Sequence, residues 1–298
     1  HETITLSFDE DMDPGSVSVS GSMLLDSTTL SWAVARTLNV NPSNDVDWSA
    51  GDGKGLKVDI THKGQLSSYT YVFEVFNGVC VEGGDSNASD DTTKAWAGTQ
   101  RHPFNSIAKA IGFIDDIYSA GAEVRVARSS VTPNEYLVNY SGDFSSRIVL
   151  QVGFSLKGGY SPIWNDRSTA LYPTIIRDLG SGDYSFNDPN RAVDCGTGLT
   201  TATSIEGFNI IGSSLGTYSV ALFCKDSSPT ITDCIIYAGG NPASLGDYDK
   251  SAITVSGTTS GDSQPHITNC IINFEGSGGT NTKWCAGISI YDYGKPRI

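Results

Sequence analysis

Short runs in which apolar and polar residues alternate recur along almost the whole chain. ITLSF (4–8), VSV (17–19), LKVDI (56–60) and YTYVFEV (69–75) put an apolar side chain at every second position, the period of a half-buried strand. DEDMDPGSV (9–17) supplies turn residues between two of them. Strands at this spacing, with no helical stretch among them, predict a β-sandwich over residues 1–78. Asp9, Asp11 and Asp13 read as a solvated turn rather than a cation site.

The texture changes at Val79. One segment has helical period: Ile107, Ala108, Ile111, Ile114 and Ile117 share a face, predicting a helix over about 104–118. Asn105 or Ser106 is placed to cap its start and Gly121 to close its end. Strand-like runs follow at 123–127, 136–140, 147–153 and 154–160.

Beyond them the chain repeats itself. PTI (173–175), PTI (229–231), PHI (265–267) and PRI (296–298), together with SIEGFNI (204–210), align Ile175, Ile205, Ile231, Ile267 and Ile298, once per 26–36 residues. A second register runs alongside: AVDC (192–195), ALFC (221–224), AITV (252–255) and GISI (287–290). Two interleaved strand registers imply stacked coils, with length differences absorbed by loops such as 237–250 and 273–284. A parallel β-helix over 79–298 is the predicted architecture. Coil stacking about 4.8 Å apart predicts one inward column of Phe208, Cys234 and Cys270 and another of Cys195, Cys224, Val255 and Ile290. The helix is predicted to cap the coil's open N-terminal end. The fold class is therefore all-β, with one capping helix.

Two resemblances accompany these patterns. ITLSFDEDMDPGSV, then LKVDI and LSSYTYVFEV, resemble the bacterial Ig-like domain of S-layer and surface proteins, which implies a spacer or adhesive module without catalytic residues. GTQRHPFNSIAKAIGFI (98–114), VRVA (124–127), LKGGY (156–160) and YPTII (172–176) resemble the pectate-lyase-like, right-handed β-helix group. That resemblance implies a secreted β-helix and leaves its activity undetermined.

Composition narrows the function classes. With 33 acidic against 19 basic residues and a formal charge of −14, the surface repels phosphate backbones and anionic membranes, so neither nucleic-acid binding nor membrane insertion is expected. No apolar run approaches the roughly 18 residues of a transmembrane helix. The chain opens at His1 directly on a strand-like run, consistent with removal of a leader, and stops at PRI where another coil would start. An extracellular or cell-surface location is expected.

The six cysteines show no CxxC or His spacing suited to zinc. Cys195 with Cys224, and Cys234 with Cys270, fall at equivalent positions of neighbouring coils. In an oxidising compartment this predicts bonds 195–224 and 234–270, while a buried column of free thiols is the competing reading. Cys80 and Cys285 have no evident partner.

Candidate chemistry is sparse. The motifs expected from the resemblance to β-helix lyases and hydrolases, Arg–x–Pro–x–x–Arg, Asn–Thr–Asp, Asp–Asp and Gly–His–Gly, are missing, leaving Lys225, Asp226, Asp233, Asp292 and Arg297. Asp233 and Asn269 occupy equivalent coil positions, with Gly207 before them, and read as a turn ladder. His62, His102 and His266 lack a nucleophile or metal partner nearby in sequence. Asp85, Asn87, Ser89 and Asp91 place oxygen ligands at alternate positions, the pattern of a calcium loop, against the reading of a plain turn. Trp164, Tyr237, Trp284 and Tyr291 are candidates for carbohydrate contact, against the reading that they pack loops on the coil. The expected function is non-catalytic: an extracellular structural or adhesive protein, self-associating into filaments through strand or coil-end contacts. The alternative is a polysaccharide lyase or glycoside hydrolase, or a glycan-binding module.

Overall fold

A computed structural model describes residues 4–7, 18–21, 28–34, 37–42, 54–62, 65–73, 78–92, 98, 100, 102–117, 121–130, 132–138, 148–162, 164, 166–180, 189–215, 218–239, 249–258, 263–274 and 284–298. The chain divides into two compact units, His1–Asn77 and Gly78–Ile298, one residue before the expected boundary.

The first unit carries β1 (Ile4–Ser7), β2 (Ser18–Gly21), β3 (Thr28–Val34), β4 (Thr37–Pro42), β5 (Lys54–His62) and β6 (Gln65–Phe73). They form two three-stranded antiparallel sheets, ordered β1-β4-β3 and β2-β5-β6.

The second unit opens on β7 (Gly78–Val81) and α1 (Ile107–Ile117). The helix starts three residues later than predicted because Phe104 is still extended: it bridges Val81, and its N–H donates to the Cys80 carbonyl at 2.9 Å. Ser106 is the cap, its Oγ accepting from the Lys109 N–H at 3.1 Å. Ile107, Ala110, Ile111 and Ile114 are buried, and the helix packs on β7 and two strands of the coil. Ala108, expected on that face, is only half-buried; Ala110 takes the place. The Ile117 side chain lies outside the described residues.

From there the chain visits three parallel sheets in turn. The first round is β8 (Glu123–Ala127), β9 (Glu135–Val138) and β10 (Ile148–Val149); the second is β11 (Ser155–Tyr160), β12 (Thr174–Asp178) and β13 (Asn190–Asp194). The third is β14 (Ser204–Glu206), β15 (Phe208–Ile211) and β16 (Tyr218–Lys225). The fourth is β17 (Thr230–Thr232), β18 (Ile235–Ala238) and β19 (Asp249–Gly257), and the fifth β20 (His266–Thr268), β21 (Ile271–Phe274) and β22 (Trp284–Asp292). The sheets run β7-β8-β11-β14-β17-β20, β9-β12-β15-β18-β21 and β10-β13-β16-β19-β22, all parallel among the described strands. The protein is a three-sheeted parallel β-helix over this unit.

Parallel, in-register pairing turns each inward position into a column. Val79, Val124, Leu156, Ile205, Ile231 and Ile267 stack in the first sheet, and Tyr136, Ile176, Ile210, Ile236 and Ile272 in the second. Such layers of like side chains bury apolar surface worth roughly 25 cal/mol per Å² and fix the register, since a one-residue slip would turn the whole set outward. The expected isoleucine column thus holds for Ile205, Ile231 and Ile267, and Arg297 pairs with His266 to place Ile298 next in line. Ile175 does not belong to it. It lies in β12 of the second sheet opposite Asn209, and Leu156 takes its place above Ile205. The second register holds throughout, from Cys195 through Cys224 and Val255 to Ile290, although Ile290 is 52% exposed.

Candidate functional site

The first and second sheets meet at a corner made by one residue with positive φ: Gly207 (76°), Asp233 (54°) and Asn269 (52°) on successive coils. Of the residues with side chains, Asn and Asp visit this region at least cost, which explains their recurrence at one coil position. Asn269 Nδ2 donates to Asp233 Oδ1, so the expected ladder is present. Gly207 interrupts it by having no side chain.

That gap is filled from outside. In the second round the tight corner is replaced by an excursion over 161–173, held by an antiparallel bridge between Tyr160 and Arg167 and by the Ser168 N–H to Gly159 carbonyl bond of 2.7 Å. A β-carbon placed on Gly207 would lie 2.9 Å from Thr169 Cγ2 and 3.0 Å from Arg167 Nη2, so the arm rests directly on the glycine. Arg167 is fixed on three sides. Its Nε donates to the Gly158 carbonyl at 2.9 Å, its Nη1 to Glu206 Oε1 at 2.8 Å, and its guanidinium carbon sits 5.5 Å from the Tyr160 ring centroid. Tyr160 is itself tied to Glu123 at 3.2 Å; burial first, then the Glu123 charge, push its hydroxyl up to about 12.

Between this arm and the corner opens a groove of about 500 Å³. Arg167, Ser168, Thr169 and Ala170 form one wall; Glu206, Asp233 and Asn269, with Cys234, Ile235 and Ile271, form the other. Behind the corner the Cys234 thiol donates to the Thr232 carbonyl at 3.2 Å and the Cys270 thiol to the Thr268 carbonyl at 3.3 Å, and the interaction between the two thiols raises buried Cys234 and lowers Cys270 to about 7.

The residues singled out from sequence are dispersed. Trp164, at φ 60°, tilts against Tyr160 at 6.0 Å, packing the excursion onto the coil. Tyr237 lies in the second sheet, and Tyr291 and the backbone of Trp284 in the third; the Trp284 side chain lies outside the described residues. Among the described side chains, Trp164 thus lies on the excursion, Tyr237 on the second sheet and Tyr291 on the third. Asp226 and Asp292 both have positive φ and share a position across Gly257. Asp226 Oδ1 accepts from the Thr258 N–H at 2.6 Å and its hydroxyl at 3.0 Å. Lys225 ends β16, and Arg297 reaches Gln264 at 3.5 Å. His266 pairs in β20, His102 lies before α1, and the His62 side chain is outside the described residues.

Asp85, Asn87 and Asp91 sit in successive turns after β7. Asp85 Oδ1 accepts the Asn87 N–H at 2.6 Å, and Ser89 Oγ the Asp91 N–H at 3.2 Å. Asp90 Oδ1 takes the Asn105 and Ser106 N–H groups at 2.9 and 3.2 Å, tying the segment to the helix entry. Among the described residues no group of three or more His, Cys, Asp or Glu side chains could hold a metal ion.

Cys80, Cys195, Cys224, Cys234 and Cys270 are free thiols, with Cys195 and Cys224 Sγ atoms 3.2 Å apart in the sealed core. The Cys285 side chain lies outside the described residues.

Sequence reasoning missed Arg167 and Glu206, 39 residues apart. The available signal was Gly207 at a coil position where the next two coils carry Asp and Asn. No family model, no curated protein and no solved structure matches the chain.

Proposed function

We propose that this protein is a non-catalytic structural or adhesive module of the extracellular surface. In this reading a right-handed β-helix, the hand taken by about 98% of parallel crossovers, follows an Ig-like spacer. The observation that carries it is how the candidate acid and base groups are used. Asp233 belongs to the corner ladder, Asp226 binds Thr258, and Glu206 neutralises Arg167. Glu123 holds Arg125 and Lys157, Glu135 holds Arg177, and Asp194 holds Arg191. Each of these pairs or bonds braces one coil or joins it to a neighbour. A hydrolase needs two carboxyls free to act across a shared space about 5–9.5 Å wide; Glu206 and Asp233 do line one groove, but Glu206 is paired with Arg167 and Asp233 is bonded to Asn269.

The test is incubation with neutral and acidic polysaccharides while new reducing ends and unsaturated products are followed. The expected result is no product with any substrate. Product formation would replace this reading with the lyase or hydrolase alternative. Negative-stain images at high concentration test self-association, and monomers alone would remove filament formation from the reading.

A further inference from the structure

We propose that the groove between the 166–171 arm and the corner ladder binds a primary alkylammonium group, such as the end of a lysine side chain on a partner polypeptide.

The case follows from what hydrogen-bonding capacity the groove has left. Arg167 is its only described cation; its Nε and one Nη1 donor are committed to Gly158 and Glu206, and its charge is matched by the Glu206 carboxylate. An anion reaching the remaining Nη donors would also face the Glu206 and Asp233 carboxylates that line the same groove. On the opposite wall the described bonds use Oε1 of Glu206 and Oδ1 of Asp233. A carboxylate accepts through both oxygens, so each has capacity remaining, and neither can donate. Arg167 cancels one of the two negative charges, and the groove stays acidic by one.

The apolar part of the lining separates an organic cation from a metal ion. Ala170, Ile235 and Ile271 border the same space, with Ile271 59% exposed. A hard metal ion needs six or more oxygens around it and gains nothing from isoleucine. An alkylammonium lays its methylene stem on such a surface while its head reaches the carboxylates. The protein's formal charge of −14 would steer such a ligand inward. The site comes pre-formed, because the Arg167 bonds and the bridge to Tyr160 hold the arm in place. The proposal is independent of whether the protein is extracellular or catalytic.

The test uses the full chain with isoleucine methyl groups labelled for NMR. Butylamine, N-acetylbutylamine and calcium chloride are titrated separately at millimolar concentrations while Ile235 and Ile271 are followed. Butylamine should shift both signals saturably, and neither of the other two should. Asp233→Asn keeps a residue tolerant of positive φ and should weaken binding about fivefold, the size of one exposed ion pair. Ala170→Lys, on the exposed arm, places an ammonium in the groove and should abolish binding. No shift with butylamine, an equal shift with the acetylated compound, or the same shift with calcium would each overturn the site. A trilysine peptide should bind at least as tightly as butylamine; its exclusion would overturn the polypeptide as the source of the group.

Discussion

Asn269 donates its side-chain amide to the Asp233 carboxylate one coil away, and both residues hold positive φ. A single side chain thus turns the corner and joins two turns of the solenoid. Asp233→Ala removes the bond and leaves the left-handed backbone with a residue that lacks the short polar side chain by which Asp tolerates it. The sum of about 1–2 kcal/mol for the backbone and about 1 kcal/mol for the bond predicts destabilisation of about 2–3 kcal/mol. Asp233→Asn should cost least and Asp233→Gly an intermediate amount, read from urea midpoints at unchanged m-value.

Glu82 follows β7 with 4% of its surface exposed, and its Oε2 has no hydrogen-bond partner. Burial, then the Asp85 charge, raise its carboxyl from 4.5 to about 7. Because the folded value lies above the unfolded one, stability is fully present below about pH 4.5 and falls as the pH rises to about 7. Glu82→Gln should gain on the wild type across that interval by on the order of 2 kcal/mol, measured as the difference between two pH-dependent unfolding curves. Parallel curves would show that Glu82 is solvated in the folded protein.

Lys250 is buried at 1% exposure and donates to the Ser213 and Leu215 carbonyls at 3.1 and 3.4 Å. Lys250→Met keeps most of the volume but removes the donor from both acceptors. A loss of about 1–3 kcal/mol is expected, together with faster amide exchange in the 213–215 segment. An unchanged melting temperature would count against the clamp.

Cys195 and Cys224 are sealed in the core, whereas Cys270 is half-buried with its thiol lowered to about 7. Brief iodoacetamide treatment of the native protein should label Cys270 first and leave Cys195 and Cys224 unmodified until denaturant is added, as followed by peptide mass mapping. Early labelling of Cys195 would contradict the core packing.

The coil was legible because its evidence is repetitive: Ile205, Ile231 and Ile267, or Ala221 and Ala252, recur at positions that one sheet must superimpose. The error at Ile175 has a simple cause. The Pro–Thr–Ile tripeptide opens a strand of the second sheet at 173–175 and a strand of the first sheet at 229–231, and the 161–173 excursion between β11 and β12 displaces the count. The groove was illegible for the opposite reason. Arg167 has neither period nor motif, and its meaning comes from Gly158, Glu206 and the missing side chain at Gly207, all brought near only by stacking.

The corner at Gly207, Asp233 and Asn269 turns on one positive-φ residue and leaves no more than two residues between strands on each of these coils, while the connections to the third sheet differ in length from coil to coil. Each winding is therefore indexed from the same vertical seam, and its girth can change without disturbing the rungs above or below. Sequence can be added on the far side of the prism as ornament while the seam keeps the tally of turns.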